Sequence, residues 1–149
     1  MQINPDFNTS AYTIRAYRTH EVDIYVPELV EAAPSTVESN TNIDEEVKNY
    51  TTLKHSFIVT TDKLIKDWAI ENPHMLTEKH FRELLALKPE IVIIGTGKKI
   101  HFADNVYTLP LTQAGIGVEF MDTAAACRTY NFLVSDGRKV AAAIFMIED

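Results

Sequence analysis

Two groups of residues in this sequence have types and spacing that could do chemistry. The first is Gly95-Thr96-Gly97, which interrupts the apolar run Ile91-Val92-Ile93-Ile94 and is followed by Lys98-Lys99. Open α/β sheets bind ligands at the carboxyl ends of their strands. Glycines there let the backbone approach a ligand, exposed N–H groups can hold an anion, and Lys98 and Lys99 would add charge. The pattern is neither a dinucleotide fingerprint nor a phosphate loop, because it lacks the third glycine and the Gly-Lys-Ser/Thr. A tight turn alone also accounts for two glycines.

The second group is Arg128 with Asn131, three apart and so on one face of an otherwise apolar helix. The planar guanidinium could grip an acidic ligand. Equally, a buried arginine needs a counter-charge, and Glu119 on the preceding strand is placed to supply one. Gly95, Thr96, Gly97, Thr123, Arg128 and Asn131 therefore form the candidate ligand-binding set, and Glu119 with Arg128 the candidate structural ion pair. The other reactive types do not assemble. His20, His55, His74, His80 and His101 are scattered without metal-ligand spacing. Cys127 lies in an alanine-rich helix and reads as a small core residue. Asp122 reads as a helix cap and Trp68 as a core anchor, and no serine has a nucleophile-elbow context. No catalytic set, metal site or cofactor motif emerges.

The elements that must position these residues follow from periodicity. Tyr12, Ile14 and Ala16, then Val22, Ile24 and Val26, alternate as half-buried strands, with Arg18-Thr19-His20 as a turn. Residues Glu28 to Glu46 hold six acidic residues and no Lys or Arg, which reads as an exposed loop insertion. Tyr50 to Thr60 is strand-forming, and Leu64 to Ile70 is ambiguous between a helical turn and a short strand. A helix is expected from Glu78 to Leu87, capped by Thr77, stapled by Leu76 on Phe81 and ended by Lys88-Pro89. The unbroken β-branched run from Ile91 is an interior parallel strand. A short helix around Leu109 has limits blurred by Pro110. A strand from Gly117 to Met121 leads into a largely buried helix from Thr123 to Val134, closed by Asp136-Gly137. The last strand, Val140 to Ile147, is expected antiparallel to its neighbours because its link is so short. The fold class expected is α/β: one three-layer domain over residues 1–149, with a mixed central sheet, helices on its faces and an N-terminal strand-rich layer.

The totals agree with a protein of this kind. A chain of 149 residues can bury roughly 70% of its unfolded surface. Fourteen basic against twenty-one acidic residues give a net charge of −7, which repels nucleic acid. No apolar run reaches the roughly 20 residues of a membrane span, Met1 to Ser10 lacks a signal-peptide layout, and a single cysteine suits a reducing compartment. The cytoplasm is the expected location.

The C-terminal block carries a resemblance. Gly95-Thr96-Gly97 after an apolar strand is followed by Glu119-Phe120-Met121-Asp122-Thr123, then Arg128-Thr129-Tyr130-Asn131, then Gly137-Arg138-Lys139-Val140-Ala141. This resembles the domain-of-unknown-function 498 family, which includes the mitochondrial complex I assembly factor 3, and the chain is similar to its bacterial-type members. The likeness covers roughly Ser56 to Ile147; before Ser56 the chain departs from the pattern. The resemblance implies a three-layer α/β fold, no established enzymatic activity and a scaffolding role toward protein partners. The expectation is thus a non-catalytic, assembly-factor-like protein-binding domain without a cofactor. The alternative is a small-molecule or anion-binding protein, with or without a reaction, near Gly95–Gly97 and Arg128. A homo-oligomer built on edge strands stays open.

Overall fold

A computed structural model describes residues 10–27 and 49–149; the acidic stretch from Glu28 to Glu46 lies outside the described residues. Three strands, β1 (Thr13–Arg18), β2 (Glu21–Tyr25) and β3 (Tyr50–Leu53), form a small antiparallel sheet in that order. The central sheet is built from β4 (Phe57–Val59), β5 (Leu64–Ile65), β6 (Ile91–Thr96), β7 (Gly117–Met121) and β8 (Val140–Phe145), in the order β5-β4-β8-β6-β7. The helices are α1 (Glu78–Leu85), α2 (Asn105–Gln113) and α3 (Thr123–Ser135). The ambiguous segment resolves as the two-residue strand β5. Helix α2 runs through Pro110, and the sequence-expected end of α1 at Leu87 moves back to Leu85.

Strand β6 is interior and parallel to both neighbours, β7 and β8, as its continuous β-branched run requires. The last strand differs from expectation: β8 is parallel to β6 and antiparallel only to β4. A short link does not decide direction when a whole helix precedes it. Helix α3 carries the chain back along the sheet, so β8 re-enters in the same sense as β7.

The two faces of the central sheet sort by period two. Phe57, Val59, Ile93, Ala142 and Ile144 face Ala126, Cys127, Tyr130 and Val134 of α3, together with Ile14, Val22, Ile24 and Leu53 of the small sheet. Ile58, Val92, Ile94, Ala141, Ala143 and Phe145 face Trp68, Leu76, Phe81, Leu84 and Leu111 on the α1–α2 side. The result is three layers. Leu76 and Phe81 are both buried as the staple requires, and the Thr77 N–H donates to His80 Nδ1 at 3.0 Å. Helix α3 is less enclosed than its composition suggests: Phe132 is 67% exposed, because only one flank of the helix meets the sheets.

The small sheet carries a charge network on Asp23, whose side chain is 2% exposed. Its carboxylate accepts from Arg15 at 2.8 Å, twice from Arg18 at 3.1 Å and from the Thr52 hydroxyl at 2.7 Å. Burial works to raise the Asp23 pKa, but the bonds from Arg18, Thr52 and Arg15 outweigh it and hold the carboxyl below its ordinary value. A depressed folded-state pKa stabilises the fold above the unfolded value of about 3.9 and is lost as pH falls through the lower folded value. Urea midpoints of wild type and Asp23→Asn should therefore differ clearly at pH 7 and converge as the pH drops below about 4. A gap that stays constant with pH would contradict this account.

Gly95 sets the distance between α3 and the central sheet. A Cβ built there would lie 2.8 Å from Ala126 Cβ and 3.2 Å from the Thr123 Cα. Neither atom can swing aside, so Gly95→Ala should cost about 1–3 kcal/mol by overpacking, read from equilibrium denaturation.

Candidate functional site

The turn after β6 is tied into the fold by a buried knot of hydrogen bonds. Gly97, at a φ of +93°, donates its N–H to Thr123 Oγ1 at 2.8 Å and accepts the Thr123 N–H at 2.8 Å. The Thr123 hydroxyl then donates to the Phe145 carbonyl at 2.6 Å. Thr123 is fully buried at the first position of α3, whose amino end Asp122 caps by accepting from the Ala125 N–H at 2.8 Å. The Thr96 hydroxyl donates to the Lys99 carbonyl at 2.7 Å and accepts from the His101 N–H at 3.0 Å. These bonds close the turn and leave the Gly97 N–H committed within the chain.

Asn131 is equally committed. It is buried and clamps one residue of the edge strand β1: Oδ1 accepts from the Ile14 N–H and Nδ2 donates to the Ile14 carbonyl, both at 2.8 Å. An amide is the side chain that supplies a donor and an acceptor side by side for a strand edge. Tyr130 adds a bond from its hydroxyl to the Tyr12 carbonyl at 2.8 Å, and burial pushes its pKa up.

Arg128 turns out differently from its neighbour. It is exposed and donates to the Tyr17 hydroxyl at 2.6 Å. The expected ion pair with Glu119 is not formed. Glu119 is exposed on the edge strand β7, and Arg128 points toward the small sheet, so neither charge needs the other. The six candidate ligand-binding residues are thus not one site. Gly95 is packed under α3 and Thr123 is that helix's buried first residue, Asn131 and Arg128 serve β1, and of the six Thr96 and Gly97 alone reach an open cleft.

That cleft, about 400 Å³, opens at the carboxyl ends of β6 and β8. One wall is Thr96 to Lys99 with His101; the other is Glu71 to His74; Met146, Glu148 and Asp149 close it. The His74 and His101 rings meet edge to face with centroids 4.2 Å apart. Separation in the sequence hid this pair, and only the return of the chain past the β6 turn brings them together. Lys98 and Lys99 were legible as charge beside a turn. Among the described residues no three of His, Cys, Asp and Glu group as a metal site. Cys127 is fully buried, and desolvation pushes its thiol up to about 12, which removes it as a nucleophile at neutral pH.

Comparison with known proteins adds the following. The profile of a family described as "Protein of unknown function (DUF498/DUF598)" matches residues 42–145. The rat "NADH dehydrogenase [ubiquinone] 1 alpha subcomplex assembly factor 3" is 37% identical over 82 residues, covering 54% of this chain and 44% of that protein. The "13 kDa major membrane protein" of Francisella tularensis is 36% identical over 75 residues, covering 50% of this chain and 61% of that one. The chain spans about half the length of the assembly factors it matches. In solved structures, a Bordetella parapertussis protein superposes with a TM-score of 0.69 at 26% identity, covering 94% of this chain and 99% of its own.

The different placements of Arg128 and Asn131 have a measurable consequence. Asn131→Leu leaves the Ile14 N–H and carbonyl without partners beneath α3 and should destabilise by about 2–4 kcal/mol. Arg128→Ala removes one half-buried bond made by an exposed side chain and should cost no more than about 1 kcal/mol. Chemical denaturation of the two variants checks both; equal losses would contradict the assignment.

Proposed function

Because this chain belongs to the DUF498 family of proteins of unknown function, we propose that it is a non-catalytic protein-binding domain that acts on protein partners in the manner of an assembly factor. The observation that carries this reading is the outer surface of α2 and the loop before it. Phe102 is 74% exposed, and Ile100, Val106 and Leu109, on the same stretch of chain, are exposed as well. Val106 and Leu109 stand three apart on one flank of α2, a helix without a charged side chain. The Phe102 ring packs on Phe120, with centroids 5.8 Å apart, and Phe120 on Phe81 at 6.3 Å, so the exposed ring is anchored to the core. Several exposed apolar side chains on one short stretch of a small protein suit an interaction surface, and aromatic anchors dominate such surfaces.

Relatives named as assembly factors support a protein as the occupant. The commitment of Thr123, Asn131 and the Gly97 N–H to internal bonds supports the absence of a reaction at the residues that had suggested one. No helix among the described residues is long and apolar enough to cross a membrane, and a lone, buried, unpaired thiol suits a reducing compartment. The place of action we propose is the cytoplasm.

The test is recovery of the tagged chain from its native host beside Val106→Glu/Leu109→Glu. Both positions are exposed, so the variant should keep its melting temperature and circular dichroism. A partner present in stoichiometric amount with the wild type and lost with the variant is the expected result. A wild-type chain that returns alone, or a partner the variant retains, would overturn the proposal.

A further inference from the structure

We infer that the open outer edge of β7 takes up an extended segment of a protein partner, one whose sequence there runs apolar, basic, apolar. This rests on the reading of the chain as a protein-binding domain and adds the chemistry of the segment bound. Strand β7 ends the central sheet, with β6 on one side and no strand on the other among the described residues. At the far end of that sheet β5 has only two residues. The Met121 carbonyl accepts from the Thr96 hydroxyl at the end of β6 at 3.2 Å, and the Ile116 N–H is taken by the Leu111 carbonyl of α2 at 2.9 Å. Alternation along the strand therefore turns the backbone of Gly117, Glu119 and Met121 toward β6 and that of Val118 and Phe120 outward. The outward N–H and carbonyl groups of these two residues have no partner among the described residues. A strand laid along them would satisfy them.

The side chains specify the segment. Val118 and Phe120 lie half-buried on the α1–α2 face of the sheet, and the exposed Phe102 ring packs on Phe120 with centroids 5.8 Å apart. Glu119, by alternation on the opposite face, is exposed and has no ion pair or hydrogen bond among the described residues. It is the one charged residue between Asn105 and Met121, so no cation on α2 or β7 neutralises it. Residues paired across two strands share a face. Apolar side chains opposite Val118 and Phe120 would extend the Phe102–Phe120 contact, and a Lys or Arg opposite Glu119 would meet its carboxylate. A second copy fits worse. Two β7 strands can pair antiparallel about a two-fold axis, but the register that uses Val118 and Phe120 of both sets the two Glu119 carboxylates against each other. Like charges directly opposite are destabilising. One carboxylate thus excludes the chain's own edge and selects a basic strand.

The experiment is an NMR titration of the full chain with short blocked peptides. One has Val-Lys-Val at its centre between threonines and serines, one has Val-Glu-Val in its place, and one is the Lys peptide N-methylated at its central residues. Saturable shifts centred on Val118, Glu119, Phe120 and Phe102 are expected with the Lys peptide, which should bind about fivefold more tightly than the Glu peptide. Glu119→Lys should reverse that order, and N-methylation, which removes the donors a strand needs, should abolish binding. Glu119 is exposed, so the variant should keep the wild-type spectrum elsewhere. Val106→Glu/Leu109→Glu should bind the Lys peptide as the wild type does. Absence of saturable binding at β7, an order unchanged by Glu119→Lys, or equal binding of the methylated peptide overturns the inference. So does a dimer of the chain alone, in sedimentation equilibrium, that protects the β7 amides from exchange; it assigns the edge to a second copy. Partner capture that persists when the peptide fails leaves the proposed function standing. Peptide binding that persists when capture fails overturns the α2 surface and leaves the β7 edge standing.

Discussion

The fold depends on one buried hydroxyl. Thr123 lies where the end of β6, the end of β8 and the start of α3 converge, and its Oγ1 serves the backbone of both strands. With Gly95 omitting a side chain beneath Ala126, this junction sets how closely α3 lies on the sheet. Close packing matters here because interiors tolerate neither voids nor overlap. A helix seated one methyl farther out would separate Cys127 and Tyr130 from Ile93 and Ala142, the packing from which this face of the core is built.

Helix α3 extends the same device to the small sheet. Asn131 offers β1 an amide edge in place of a neighbouring strand, so a strand that ends a sheet has its backbone satisfied from a helix. Tyr130 and Arg128 add bonds to the same layer. One helix thus joins two sheets, and its buried Thr123, Tyr130 and Asn131 direct their polar groups at backbone, which is the condition under which polar atoms can be enclosed without penalty. Asp23 obeys the same condition on the small sheet, where two arginines and Thr52 satisfy a nearly inaccessible carboxylate.

This architecture redistributes the residues that looked chemical. Threonine, asparagine and glycine at motif positions serve equally as ligand donors and as backbone clamps, and the identity of their hydrogen-bond partner separates the two uses. Here the partners are carbonyls and N–H groups of the chain itself. What remains available at the surface is of two kinds: anchored apolar side chains on and before α2 and, among the described residues, the open outer edge of β7.

Local chemistry and periodicity were enough to read the layers. The β-branched run at Ile91, the apolar face of α1, the Asp122 cap and the positive φ of Gly137 are each set by interactions within a few residues. The combined motif from Gly95 to Asn131 carried the family as well. The direction of β8, the exposure of Phe132, the failure of Glu119 to meet Arg128 and the meeting of His74 with His101 were decided only by tertiary structure. Spacing along a chain fixes which residues share a face, but not which element that face meets. Glu119 and Arg128 are near in sequence yet serve different edges, whereas Asn131 and Ile14, far apart in the chain, share two bonds. The sequence by itself determined the elements and their buried faces, because these follow from local dihedral preference and hydrophobic period. Partnership between distant polar groups depends on how the faces stack, and that stacking exists only once the chain has packed.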